Sequence, residues 1–376
     1  MLLIGVYSLM VISNATAQFQ KVETAIDSLI KEFQAAGLSV AVVKNDKIIY
    51  THAFGFQNIE ENKPLQTEHL FRIASISKSF TSTALLQLVE QGRISLDDDV
   101  SNLVGFTVRN PNFPDKTITL RMLLSHRSSL NDSQGYFNLD VIDPTTGTSY
   151  QKCYNSYAPG EGYQYCNLNF NMAGTILERL TGERFDTYVK KQLLTPLGIE
   201  GGYNVDSLDQ SKFATLYEYN TKEQKLSPST GAYASRATEL GSYQLGRSTP
   251  IFSPTGGMKI NATGLATYMI MHSKHGKYKG GRILRKKTSK LMQTPLTNDG
   301  TDHYGLALWK TTKLIPGIEL TGHTGSAYGL NSALFFNPKK NFGMVVLCNG
   351  SKVVYKDGYP TIISAALNIL YEGLLK

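Results

Sequence analysis

The spacing of apolar residues changes along the chain, and each change predicts a different kind of element. Val22, Ile26, Leu29, Ile30 and Phe33 recur at helical spacing and predict an amphipathic helix over Phe19–Ala36, closed by Gly37. Continuous apolar runs then predict strands over Leu38–Val43 and Lys47–Thr51, joined at Asn45-Asp46, a pair suited to a tight hairpin. Further extended runs pass through Phe54-Gly55-Phe56 and Leu70–Ile73. From Phe80 to Ile199 the period is mostly helical. Phe80, Ala84, Leu85, Leu88 and Val89 lead to a stop at Gly92, and Leu120–Leu124 opens a short helix. Met172, Ala173, Ile176 and Leu177 mark the inward face of Asn169–Leu180, and Phe185–Leu194 continues helical until Pro196.

Residues 131–163 have no period and are rich in Tyr, Gly, Ser and Asp, which predicts a long loop serving as a wall or lid. Asn204–Arg247 is Tyr-rich and mixed, and yields no assignment. Asn261 is placed to cap a helix over Gly264–His272. The last third predicts short strands at Gly305–Trp309, Ile318–Gly322, Ser332–Asn337 and Phe342–Asn349, then a closing helix over Pro360–Leu375. Strands at both ends around a helical block indicate an α+β fold: an antiparallel sheet flanked by N- and C-terminal helices, with an inserted, mostly helical domain. The implied boundaries are 18–80 with 245–376 for the sheet domain and 81–244 for the insertion, with an active site at their junction.

Composition narrows the classes. The 376 residues are 41% hydrophobic and 18% charged, an ordinary globular balance. The net charge of +8 is spread along the chain rather than gathered on a binding module, so no nucleic-acid partner is expected. The apolar run Leu2–Ile12, followed by Ala15-Thr16-Ala17, resembles a secretory leader. Residues 1–17 are accordingly read as a signal peptide, with an atypical uncharged n-region, and the mature chain as periplasmic or secreted. No later segment is long and apolar enough to span a membrane. Three cysteines are too few for a disulfide framework; Cys153 and Cys166 either pair after export or stay free. His272 and His275 are followed at once by Gly276 and read as a helix end rather than a metal site, so neither metal nor cofactor is expected.

Candidate chemistry centres on Ser75 and Lys78. The pattern S-x-x-K occurs three times, at Ser28–Lys31, Ser75–Lys78 and Ser149–Lys152. Only the second lies between an extended run and an apolar helix, where the serine meets a helix N-terminus and the lysine shares its face. A serine hydroxyl needs a neighbouring base, and a lysine amine can be that base when burial lowers its pKa. Tyr165-Cys166-Asn167 precedes the next helix, and His323-Thr324-Gly325-Ser326 ends a strand run. His126, by contrast, reads as a hydrogen-bonded structural residue.

These three motifs, in this order, resemble those of the penicillin-recognising serine hydrolases: class C β-lactamases, DD-peptidases, D-aminopeptidases and related esterases. Leu123-Leu124-Ser125-His126, Pro159-Gly160, Thr195-Pro196-Leu197-Gly198 and Gly256-Gly257-Met258 support the likeness, which runs from about residue 38 to the C-terminus. The resemblance implies that Ser75 is acylated and that Lys78 and Tyr165 share the proton transfers, Tyr165 as a phenol whose charged form an adjacent ammonium favours. It implies further that the backbone N–H groups of Ser75 and Ser326 form the oxyanion hole. Asn167, His323, Thr324 and Gly325 would bind substrate, with Gly325 leaving room for it. His323 stands where class C β-lactamases usually have lysine, a partly charged side chain in place of a permanent cation. A DD-peptidase-type hydrolase of D-amino-acid peptides is therefore expected first. A class C-type β-lactamase, an esterase of small acyl esters and a non-catalytic peptide-binding module are the alternatives. The expected partner is a small peptide, β-lactam or ester substrate.

Overall fold

The structure, a computed structural model, describes residues 2–297 and 303–376, with side chains from residue 16 onward. Strands β1 (Gly37–Lys44), β2 (Lys47–Asn58), β3 (Lys63–Pro64), β4 (His303–Tyr304), β5 (Trp309–Ile315), β6 (Ile318–Ala327), β7 (Leu330–Asn337) and β8 (Phe342–Cys348) form one antiparallel sheet. Its order is β4-β5-β6-β7-β8-β1-β2-β3, so the N-terminal hairpin closes directly onto the C-terminal meander, with Val40 opposite Val346. The longer helices are α1 (Leu2–Glu32), α2 (Ser77–Glu90), α3 (Asn167–Thr181), α4 (Ala262–Ser273) and α5 (Thr361–Leu374). The fold is the expected α+β arrangement.

Both faces of the sheet are covered, which is why β1 reads as a continuous apolar run rather than an alternating one. Leu38, Val40 and Val42 face the terminal helices, packing with Ile26 and Leu29 of α1 and Ile363 and Leu367 of α5. Ala41 and Val43 point the other way, into the larger core shared with Tyr268 and Met269 of α4 and with α2 and α3. Burying one such large aliphatic side chain is worth about 2 kcal/mol, enough for the apolar stripe of α5 to select its face.

Several boundaries differ from the sequence reading. The first helix ends at Glu32, and the chain turns at Gln34 with φ +48. Gly37 belongs to β1, where a Cβ would come within 2.6 Å of the Phe54 carbonyl; it is a close-approach glycine and not a helix stop. The signal-peptide reading of residues 1–17 includes Met1, outside the described residues, and side chains to residue 15 that are likewise undescribed. Asn45 and Asp46 do form the hairpin turn, at φ +53 and +62, and β2 is a single long strand through Asn58. Gly305–Leu308 is a turn and not a strand. Ala307 adopts φ +67 and donates its N–H to the Leu124 carbonyl, which anchors this turn to the helical layer. Among the described residues no helix is long and apolar enough to cross a membrane.

One register detail positions the site. The pairing of β5 with β6 reaches only to Trp309 opposite Gly322. Residues 323–327 continue β6 alongside β7, from Thr324 opposite Ala333 to Ala327 opposite Leu330. Their other edge meets no described strand.

Candidate active site

Ser75 sits in a tight 3₁₀ turn, Ala74–Ile76, that runs directly into α2. Ala74 holds φ +49, a left-handed conformation uncommon for a residue with a side chain. Such strain costs about 1–3 kcal/mol and survives where the surroundings over-determine it. Here they do: Ile73 donates its N–H to the Met258 carbonyl at 2.9 Å, and Met258 donates its own to Ser77 Oγ at 3.0 Å. The Gly256-Gly257-Met258 segment therefore holds the turn that presents the serine.

Lys78, one helical turn on, is fully buried. Its Nζ lies 3.1 Å from Ser75 Oγ, 2.8 Å from Asn167 Oδ1 and 3.0 Å from the Thr255 carbonyl. Burial lowers its pKa to about 7, with Asp132 pulling the other way. In its neutral form the amine has two N–H donors and one lone pair. Asn167 Oδ1 and the Thr255 carbonyl can only accept, so the lone pair is left for the Ser75 O–H. The arrangement can remove the serine proton.

Tyr165 is half-buried at the edge of the cleft, and desolvation pushes its pKa up, against the pull of its hydrogen bond with Ser75. Lys78 Nζ lies 4.7 Å over the ring centroid, against the aromatic face. Here the expectation of a phenol ionised by a neighbouring ammonium is corrected: burial outweighs it, and Tyr165 holds its proton. His126 packs on the same ring at 4.3 Å between centroids and accepts from the Cys166 N–H at 3.1 Å through Nδ1. Burial and the proximity of Lys78 lower the His126 pKa well below 6.5, and this neutrality leaves Nδ1 able to accept. Its structural reading fits.

His323 differs from expectation too. It is 1% exposed, and burial, with Lys78 nearby, lowers its pKa to about 3. Its Nε2 pairs with the Tyr304 hydroxyl at 3.3 Å, its Nδ1 with the Thr324 carbonyl, and its ring lies 4.2 Å from Trp309. The partly charged histidine expected to meet a substrate carboxylate is thus a neutral, packed one. Packing against the Ser75 turn also requires glycine at 325. A Cβ there would come within 2.3 Å of the Ile73 carbonyl and 2.5 Å of Ser332 Oγ, so β6 could not lie against the Ser75 turn. Gly325→Ala is expected to lower the melting temperature, by the equivalent of about 1–3 kcal/mol for overpacking, and to slow Ser75 labelling; thermal unfolding read beside labelling checks both.

Ser75, Tyr165, His323, Thr324, Gly325 and Ser326 all border one cleft of about 370 Å³. Ser326 is exposed to it, on the unpaired edge of β6. Sequence reasoning missed the rest of the wall: Tyr163, Tyr304, Trp309 and Tyr359 line the same cleft. It also missed Thr255 and Asp132, which hold Lys78 and Asn167. Only the long loop and the Gly-Gly-Met phrase pointed toward them. The other two S-x-x-K serines lie elsewhere: Ser28 Oγ bonds the Thr24 carbonyl within α1, and Ser149 precedes a 3₁₀ turn. Cys153 and Cys166 do not pair; both are buried free thiols.

The Beta-lactamase family model matches residues 25–367 of this chain. The chain belongs to the beta-lactamase family. Among curated relatives of this family member, Protein flp of Staphylococcus aureus (strain MW2) is 26% identical over 346 residues, covering 88% of this chain and 63% of that protein. This beta-lactamase family chain thus spans less than two thirds of the length of such relatives. Among solved structures, the octameric penicillin-binding protein homologue from Pyrococcus abyssi matches with a TM-score of 0.74 at 25% identity, over 95% of this chain and 77% of that one. The D-amino acid amidase from Ochrobactrum anthropi SV3, complexed with D-phenylalanine, shares the fold with a TM-score of 0.71 at 19% identity, over 95% and 99% of the two chains. The family's members are serine hydrolases on this fold.

Proposed function

We propose that this chain hydrolyses peptide-like amides or esters, D-amino-acid derivatives among them, through an acyl-enzyme on Ser75, and that it favours substrates neutral where they face His323. The contact of the buried Lys78 amine with Ser75 Oγ carries the reading. Ser75 Oγ attacks the carbonyl carbon while its proton passes to Lys78 Nζ. The N–H groups of Ser75 and Ser326 receive the oxyanion, each such donor being worth about 3 kcal/mol. Tyr165 gives its phenolic proton to the leaving amine or alcohol and regains one from Lys78. The C–N or C–O bond breaks, leaving the acyl group on Ser75. Water then attacks the ester, with Lys78 again taking the proton; the bond from Ser75 Oγ to the acyl carbon breaks, Lys78 returns that proton to Ser75 Oγ, and the free acid departs. The unpaired edge of β6 suits an extended substrate backbone, which would add there as a further strand.

Substrate class turns on His323. A DD-peptidase or class C-type β-lactamase handles substrates bearing a free carboxylate, whereas the lining of this cleft, an imidazole that burial holds neutral and several aromatic rings, supports neutral substrates. Because the His323 pKa is lowered to about 3, its charge does not change between pH 6 and 8. The ratio of kcat/KM on a D-Ala-D-Ala acid to that on its neutral ester is expected to be below one and flat over that range. Steady-state assays with the peptide, nitrocefin and a p-nitrophenyl ester check it. A preference for free acids that grows as the pH falls would instead support the DD-peptidase reading.

A further inference from the structure

We infer that Asp132 is a positioning residue that fixes the direction of the Asn167 amide and, through it, the proton affinity of Lys78. The inference rests on the acyl-enzyme reading above. Asp132 lies in the aperiodic loop, far in sequence from both partners, yet the bonds of its carboxylate converge on the start of α3. Its Oδ2 accepts from the Asn167 N–H at 2.8 Å and from Asn167 Nδ2 at 2.9 Å. Its Oδ1 accepts from the Leu168 N–H at 3.0 Å and from Cys166 Sγ at 3.2 Å. The residue preceding α3, Cys166, makes no side-chain cap of its own. Asp132 therefore caps the helix from outside it, satisfying N–H groups that would otherwise be unpaired.

A carboxylate only accepts, so the group Asn167 turns toward Asp132 must be its NH₂. The amide oxygen is then forced toward Lys78 Nζ and toward Thr255 Oγ1, which donates to it at 2.9 Å. That orientation makes Asn167 an acceptor for the amine, leaving the lone pair to Ser75. The titratable groups facing Lys78 are Asp132, Cys166, Tyr165, His126 and His323. Burial holds Cys166 and Tyr165 protonated and both histidines neutral. Asp132 supplies the anion, and it opposes the effect of burial on Lys78.

The test compares wild type, D132N and the exchange D132N/N167D, following the rate at which a fluorophosphonate labels Ser75 from pH 5 to 9, with melting curves alongside. In D132N the acid limb of the rate is expected to move down by about one pH unit as the counter-charge is lost. Its plateau should fall more than tenfold, because an amide at 132 lets Asn167 turn over. In the exchange variant the carboxylate bonds Lys78 directly, and the limb is expected above the wild-type position. If D132N labels more slowly by one factor at every pH, with its limb unmoved, Asp132 is only a helix cap and the inference is overturned. An unmoved limb in the exchange variant overturns it equally, and that variant decides alone if D132N does not fold, since it keeps one amide and one carboxylate facing each other across the pair. Labelling of Ser75→Ala at the wild-type rate would mark a failure of the acyl-enzyme reading itself.

Discussion

Ser75→Ala is expected to abolish covalent labelling by fluorophosphonate or penicillin and to reduce hydrolysis on the order of 10⁴- to 10⁶-fold, the scale seen when a nucleophile acting within a catalytic unit is removed. Of the S-x-x-K serines, Ser75 alone has a lysine amine on its hydroxyl, at 3.1 Å, and alone borders the cleft. The change removes one oxygen from a turn whose shape is set by Ala74, Met258 and Gly325, so the melting temperature should stay close to wild type. Intact-mass spectrometry followed by peptide mapping gives the answer. An adduct on the Ser28 or Ser149 peptide, or a labelled Ser75→Ala protein, would refute the assignment.

Lys78→Ala should cost about 10²- to 10⁴-fold in kcat/KM, the usual scale of a positioned general base. Tyr165→Phe should cost a comparable factor. Because the two move one proton between them, the double variant should be little worse than the poorer single variant. Losses that multiply would mean separate proton paths. The pH dependence follows from the Lys78 pKa of about 7. Below that value the ammonium has no lone pair to offer Ser75, so the wild-type rate should fall about tenfold per pH unit; above it the rate should level off. An acid limb near pH 4 in place of 7 would point to a carboxylate base instead. Removing a buried lysine also leaves a cavity, so Lys78→Met, which keeps volume without the amine, is the control for packing.

Much of this was legible from local pattern. The apolar stripes of α1 and α5 and the turn at Asn45-Asp46 depend on neighbours a few residues apart, and those interactions survive intact in the fold. The Ser75–Lys78 pair was readable for the same reason: three residues along a helix bring the two groups together whatever else surrounds them. Strand limits were harder. β1 and β8 are buried on both faces, so the alternation that would frame a one-sided strand is absent. The stretch Gly305–Leu308 looked extended, but its backbone bonds the helical layer instead.

Protonation states lay outside the reach of the sequence. A histidine at 323 reads as half-charged and a tyrosine beside a lysine as easily ionised, because reference pKa values assume water. Packing removed the water: His323 lies between Trp309 and Tyr304, and Tyr165 against His126, so desolvation set both in the neutral form. Asp132 was equally hidden. Within an aperiodic loop an aspartate is ordinary, and its role exists only where the loop meets the start of α3. By itself the sequence determined most of the helices and strands, the family motifs and the pairing of Ser75 with Lys78, since each rests on contacts between residues close along the chain. Only the tertiary structure decided the charge of His323, the aromatic wall of the cleft and the carboxylate behind Asn167. Those depend on burial and on partners brought together from distant segments, which spacing along the chain does not encode.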